Sequence, residues 1–416
     1  MSGLAFLFHG NLLYAEYPLA RIPEMVEKSY LPMLKALYDA PAVKAVLNFS
    51  GFTLELLAGE HPGLYEGKQE LFPLLKDGVK RGQFELTGSS WGHAILPTLP
   101  AELRTHDIRL CRETIQRLIG VIPEGFFPPE LAVAPFLPAE LTAAGYRWTV
   151  VDRELLMYTR RGALNDFNEF MRPSRSLTAL TAVAQRGGLC SKLKAMRAIG
   201  KIISREHDYS PVEWQGVGES SIVAFPLESA WIAYSLLSLS RGFIFNEHRL
   251  AGKLRKLQTR MRGFLFPYSS DIEFFGLGGN TLTVPIPIER MRDFFLRLEN
   301  EKLPFSLPSA YLADHPYRGR PEYCKAGSWS TRKDFSLWTH DADNRMLDQY
   351  CREAWRAYST QEERLSTEKR DYLLRKLLLA FNSDGRGWTP LPEHRLFCYK
   401  NAQEVLSELR GRERRH

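Results

Sequence analysis

Gly125-Phe126-Phe127-Pro128-Pro129-Glu130 is the stretch on which the reading of this chain turns. Its two prolines fix φ and remove two amide donors, so it predicts a stiffened strand end rather than a central helix or mid-sheet strand. Glu130 is thereby held in one place against apolar Leu131, Ala132 and Val133. A nucleophile or general acid requires such restricted solvation and fixed geometry. The plainer alternative is a surface Glu in a proline-rich turn.

On either side, short apolar runs alternate with amphipathic helical patterns, as expected of an α/β domain with a mainly parallel sheet or barrel. Strands are predicted at Phe6–His9, Val43–Phe49, Phe84–Leu86, Trp148–Val151, Ile222–Phe225 and Phe264–Pro267, with another ending at Glu130. Helices are predicted at Ile22–Tyr38, kinked at Pro32, and at Ala101–Ile119, whose Leu103, Ile108, Cys111, Ile115, Leu118 and Ile119 are read as one face. Polar residues follow the apolar runs, where parallel α/β folds bind ligands. The segment 160–218 is long for a connection and reads as an insertion. After Ile286 strand signals become scarce, and Asn344–Tyr358, Glu362–Phe381 and Glu393–Leu409 read as helices. The expected organisation is a catalytic unit over 1–290 and a mainly helical region over 291–416, with 160–218 and the proline-rich loop Pro304–Pro321 as lids.

Of the 416 residues 44% are hydrophobic and 25% charged, which fits a soluble globular protein rather than a disordered one. The opening Leu4–Phe8 is too short for a signal sequence, so a cytoplasmic protein is expected. The net charge of +7 gathers on stretches that read as solvated helix faces, with no zinc-finger or RNP pattern beside them, so no nucleic-acid partner is expected. Five scattered cysteines without C-x-x-C spacing read as reduced thiols.

Gly125–Glu130 resembles the aromatic-Leu-Pro-Glu motif of glycoside hydrolase family 57, whose Glu is the nucleophile. Ser270-Asp271-Ile272-Glu273-Phe274-Phe275-Gly276 is similar to that family's Asp-x-Glu-x-Phe-Gly segment, whose first Asp is the general acid/base. His9-Gly10-Asn11 sits where the family has H-x-H-Q-P, His93–Pro97 resembles its H-P-I-L-P region, and Asn382–Trp388 resembles a segment whose Asp and Trp reach the active site. The resemblance implies an incomplete (β/α)7 barrel with a C-terminal α-helical region, no cofactor or metal, and an oligosaccharide or polysaccharide substrate. The short start, Phe8-His9-Gly10-Asn11, is most similar to the family's α-galactosidase branch; α-glucan-acting enzymes (amylase, 4-α-glucanotransferase, branching enzyme) are the alternative.

A retaining glycosidase needs two carboxyl groups about 5–5.5 Å apart, one to attack the anomeric carbon and one to protonate the leaving oxygen. Glu130 and Asp271 are the expected pair. Glu273 is the rival acid, since on a strand it would face the same side as Asp271. His9, Glu55, Trp91, His93, Trp329, Asp384 and Trp388 are the candidate substrate contacts, and Trp231 is read as core. Two readings compete: a metal-dependent deacetylase or mannosidase using His9, Asp271, His93 and Asp152 as ligands, and a non-catalytic carbohydrate-binding protein. No membrane partner is expected, and the apolar residues of 160–218 and Pro304–Pro321 could equally serve a homo-oligomer interface.

Overall fold

The structure, a computed structural model, describes residues 2–160, 189–240, 246–278, 285–317, 321–387 and 390–413. Its strands are β1 (Ser2–Leu4), β2 (Phe6–Gly10), β3 (Ala45–Phe49), β4 (Phe84–Gly88), β5 (Gly125–Phe126), β6 (Trp148–Asp152), β7 (Asp208–Tyr209), β8 (Val212–Gln215), β9 (Ser221–Leu227), β10 (Arg262–Leu265), β11 (Ser269–Asp271) and β12 (Pro321–Tyr323). The larger sheet has the order β11-β2-β3-β4-β5-β6-β9-β8-β12. Every pairing from β11 to β9 is parallel, β8 pairs antiparallel with β9, and β12 runs parallel to β8. β1 and β10 extend β2 and β11 backwards, in parallel register Ser2↔Gly263 to Leu4↔Leu265.

Helices follow the strands because parallel strands need crossovers. Both faces of the sheet are therefore covered, and β2, β3 and β6 are buried at every position. The outer face packs under Ile22–Tyr38, Gly51–Ala58, Leu71–Lys80 and Ala101–Ile119. A second apolar cluster lies inside, from Ala5, Leu7, Val46, Phe127, Trp148, Val150, Phe225, Phe264 and Phe266. In it Phe225 of β9 meets Phe264 and Phe266 at centroid distances of 5.1 and 6.1 Å, so the two ends of the parallel run face each other across the sheet's inner side.

Several expectations are refined. The helix predicted over Ile22–Tyr38 runs through Pro32, because the π-helical turn Val26–Tyr30 absorbs the missing amide. The insertion carries helix Leu189–Arg205 and strands β7 and β8; its residues 161–188 lie outside the described chain. The loop Pro304–Pro321 is not a lid over the strand ends that carry Glu130 and Asp271. It holds helix Pro308–Asp314, bridges Leu4 through Phe305, and sends Ser309 to Glu85 and Trp148 near the amino ends of β4 and β6. The apolar spacing of Tyr311 explains this, since its ring fills the space against Phe225 and Phe264.

Beyond Ile286 the chain forms Ile288–Glu299, Ala342–Ser359, Thr367–Ala380 and Pro392–Glu413, the last three packed together. Among the described residues no helix is long and apolar enough to cross a membrane.

Candidate active site

Glu130 sits one short turn beyond β5. Phe127 N–H donates to Gly88 O at 2.8 Å, and Ser89 Oγ donates to Phe127 O at 2.8 Å, which ends the strand. The prolines then tighten the chain into a turn in which Glu130 has φ 57° and Leu131 φ 46°. Non-glycine residues rarely occupy this region, and strain of this kind persists where surrounding contacts over-determine it. Here the contact is Trp329, whose Nε1–H donates to Glu130 Oε2 at 2.6 Å. Ser383 Oγ approaches the other oxygen, Oε1, at 3.4 Å.

Beside Glu130 a polar chain crosses the carboxyl ends of β2 and β3. His9 Nδ1 meets Asn48 Oδ1 at 2.6 Å, and the two histidines touch through Nε2 atoms 3.1 Å apart. His93 Nδ1 in turn meets Asp384 Oδ2 at 3.1 Å. Asn11 Nδ2 also donates to Asp384 Oδ2 at 2.5 Å, and Ala15 N–H donates to Asp384 Oδ1 at 3.1 Å. Phe127 stacks on the His9 ring at 5.2 Å. Because Asn48 offers its carbonyl oxygen, His9 Nδ1 is the donor there and its Nε2 accepts from His93.

Asp271 ends β11, opposite His9 of β2. Tyr268 Oη donates to its backbone carbonyl at 2.5 Å, and Tyr14 Oη lies 3.4 Å from Oδ2. Glu273 does not continue the strand. The 3-10 turn Ile272–Phe274 begins immediately after Asp271 and turns Glu273 into the core, where Tyr30 Oη and Asn11 N–H donate to its Oε1. The strand argument that made it a rival acid therefore fails.

The electrostatics follow from burial. Burial lifts the Asp271 carboxyl to about 7, and the negative charge of Glu130 adds to the shift. Burial also raises Glu130, against the opposing charge of His93. His9 is lowered to about 3, by burial and then by His93. For His93 burial alone would act downward, but the Asp384 carboxylate outweighs it and the imidazole is raised. His93, whose charged form is favoured, thus stands beside a neutral His9 and faces two carboxyl groups that influence each other's charge.

Two expected sugar contacts are placed elsewhere. Trp91 is fully buried, with Phe52 against one side and the Arg375 guanidinium over its ring, so no face is left for a sugar. Glu55 accepts from Trp91 Nε1 at 3.1 Å and pairs with Arg375, Arg117 and His61. A carboxylate already satisfied by two guanidinium groups, an indole N–H and an imidazole is a tie to helix Thr367–Ala380, not a cleft residue. Trp231 is core, its Nε1–H donating to Tyr209 Oη at 2.8 Å. Trp388 lies outside the described residues. The reading from sequence passed over Asn48 and Tyr30, polar residues without a motif of their own, and Ser383, which lies inside the Asn382–Trp388 segment but was not singled out there. It also passed over Trp338, which with Ile95 and Ala132 forms an apolar patch beside half-buried Trp329. Asp152, a ligand in the metal reading, pairs instead with Lys333 at 3.0 Å.

Residues 8–185 match the sequence model of Glycosyl hydrolase family 57. The alpha-amylase of Pyrococcus abyssi is 32% identical over 129 residues, which amount to 31% of this chain and 18% of that amylase. The alignment thus spans less than a fifth of that relative's length. Among solved structures, the 4-alpha-glucanotransferase from Thermococcus litoralis superposes with TM-score 0.64 at 18% identity, over 97% of this chain and 59% of that one. The alpha-amylase from Thermotoga maritima gives 0.63 at 13% identity, over 98% and 93%. At such identities the likeness is one of fold: mixed α/β with a mainly parallel sheet. The matched segment contains His9, His93 and Glu130, while Asp271, Trp329 and Asp384 lie beyond it and join the cluster in space.

Proposed function

We propose that this chain is a retaining glycosidase of family 57 type that acts on α-glucans, with Glu130 as nucleophile and Asp271 as general acid/base. The observation that carries the reading is the pairing of a fixed, buried Glu130 with an Asp271 whose carboxyl is raised to about 7. An acid that must give up a proton near neutrality needs such a value. Glu130 Oε1 attacks C1 as the glycosidic C–O bond breaks, and the Asp271 proton passes to the leaving oxygen. Water then gives its proton to Asp271 and attacks C1, releasing Glu130. His9, His93, Asp384 and half-buried Trp329, backed by Trp338, would hold the sugar.

The same reading takes the parallel run from β11 to β9 as an incomplete (β/α)7 barrel, supported by the Phe225–Phe264 contact, with residues 291–416 as a helical region against it. The galactoside expectation finds no support among the aligned relatives, whose names, alpha-amylase and 4-alpha-glucanotransferase, favour the α-glucan alternative.

The test is product formation from maltoheptaose. Wild type is expected to shorten or rearrange it, Glu130→Gln to abolish turnover, and Asp271→Asn to slow it by about 10²–10⁴-fold. Nitrophenol release from an α-galactoside, with maltoheptaose untouched, would return the galactoside reading; unchanged turnover in Glu130→Gln would remove the nucleophile.

A further inference from the structure

Lys333 is a buried lysine far in sequence from Glu130, and its side chain is 1% exposed. Its ammonium has three partners: Asp152 at the end of β6 at 3.0 Å, Glu154 Oε2 at 3.2 Å, and the backbone carbonyl of Trp329 at 3.2 Å. Burial alone would lower this ammonium, but the two carboxylates outweigh it and hold it above the ordinary lysine range. Its backbone is strained as well. Among the described residues the non-glycine positions with positive φ are His93, Glu130, Leu131 and Lys333. Three of these belong to the site itself, which makes the fourth conspicuous.

The loop that Lys333 closes is knotted on itself. Lys333 N–H donates to Ser330 O at 3.0 Å, and the Ser328 and Ser330 hydroxyls both donate to Asp334 O, at 2.6 and 2.9 Å. Its other limb is pinned to the Glu130 turn, Val133 and Gly327 exchanging backbone hydrogen bonds of 2.8 and 3.0 Å. Trp329 stands between these two anchors, and its indole N–H reaches Glu130 Oε2.

We propose that Lys333, held by Asp152, is a positioning residue that fixes Trp329 against Glu130 Oε2 and so leaves Oε1 as the attacking oxygen. The proposal rests on Glu130 being the nucleophile. A charge-assisted donor on one oxygen holds the carboxylate plane and favours its ionised form. Without the lysine the loop loses its tie to β6, and the indole drifts from the carboxylate.

The experiment compares wild type with Lys333→Met, Asp152→Asn and Trp329→Phe on maltoheptaose, following kcat, KM and the pH profile, with melting temperatures alongside. Lys333→Met is expected to lower kcat about 10- to 100-fold with KM nearly unchanged. It should also move the acidic limb of kcat/KM to higher pH, because Glu130 then ionises less readily. Trp329→Phe should give the same shift, and the double variant should be no worse than either single one. An acidic limb that stays in place in Lys333→Met, or a double variant with additive losses, overturns the proposal even where Glu130→Gln is inactive. If Lys333→Met fails to fold, Asp152→Asn carries the test, and an unmoved limb there overturns it equally. Wild type that is silent on maltoheptaose sinks the glucan reading instead, an outcome separate from these.

Discussion

On the proposed assignment, Asp271 sets the upper pH limit of the site. A carboxyl raised to about 7 stays protonated through the mildly acid range and loses its proton above it. The rate on α-glucan is therefore expected to fall as pH rises through about 7, and a pH profile of kcat/KM checks this. Asp271→Asn should remove the limb along with most of the rate. Glu130 and Asp271, which the structure brings near one another, could be singled out because each stands in a motif with chemical content, at the end of an apolar run. Glu55 and Trp91 were misassigned because residue type does not reveal what a side chain faces. The Arg375 that neutralises Glu55 lies 320 residues away in sequence. The φ of 57° at Glu130 and His93 was beyond reach as well, since only assembled neighbours hold an L-residue there.

At the scale of elements, the π-helical turn Val26–Tyr30 shows how a local irregularity shapes the site. It shifts the register so that Ser29 Oγ donates to Ile272 O at 2.7 Å and Tyr30 reaches Glu273. The carbonyl of Lys28, which in an unbroken α-helix would have accepted from residue 32, instead lies against Gly276. That glycine has φ 87°, and a Cβ there would stand 1.9 Å from the Lys28 oxygen. Gly276→Ala is accordingly expected to destabilise the protein by about 1–3 kcal/mol, measured by urea unfolding, and to disturb the Asp271 turn. Sequence periodicity located this helix and most strand cores to within a few residues. It predicted a kink where there is a π turn, because tertiary contacts decide how a proline's missing hydrogen bond is absorbed.

Across the whole molecule, buried carboxyls sit at both ends of the parallel run. Glu85, near the amino ends of the strands, is pushed to about 7 by burial, although Ser309 and Trp148 donate to it. Its folded value exceeds its unfolded one, so its contribution to stability is complete below about pH 4 and lost as pH rises through about 7. Glu85→Gln is expected to gain stability relative to wild type at pH 8 and little at pH 5, read from denaturation midpoints. On the far side, Arg375→Met should cost about 2 kcal/mol by leaving Glu55 short of a cation, a figure held down by the partial exposure of the guanidinium. The sequence announced the α/β pattern and the helical region after Ile286, but not which end of the sheet the Pro304–Pro321 segment closes.

The tie between Asn11 and Asp384 spans 373 residues. A ribosome delivers every parallel strand of the sheet before it delivers Asp384. The emerging chain can thus pair β2 to β11 and bury most of its apolar side chains while His93 still lacks its counter-charge and Asn11 and Ala15 their acceptor. The Asp384 end of the polar cluster is completed only when a segment made late in synthesis docks onto strands made early.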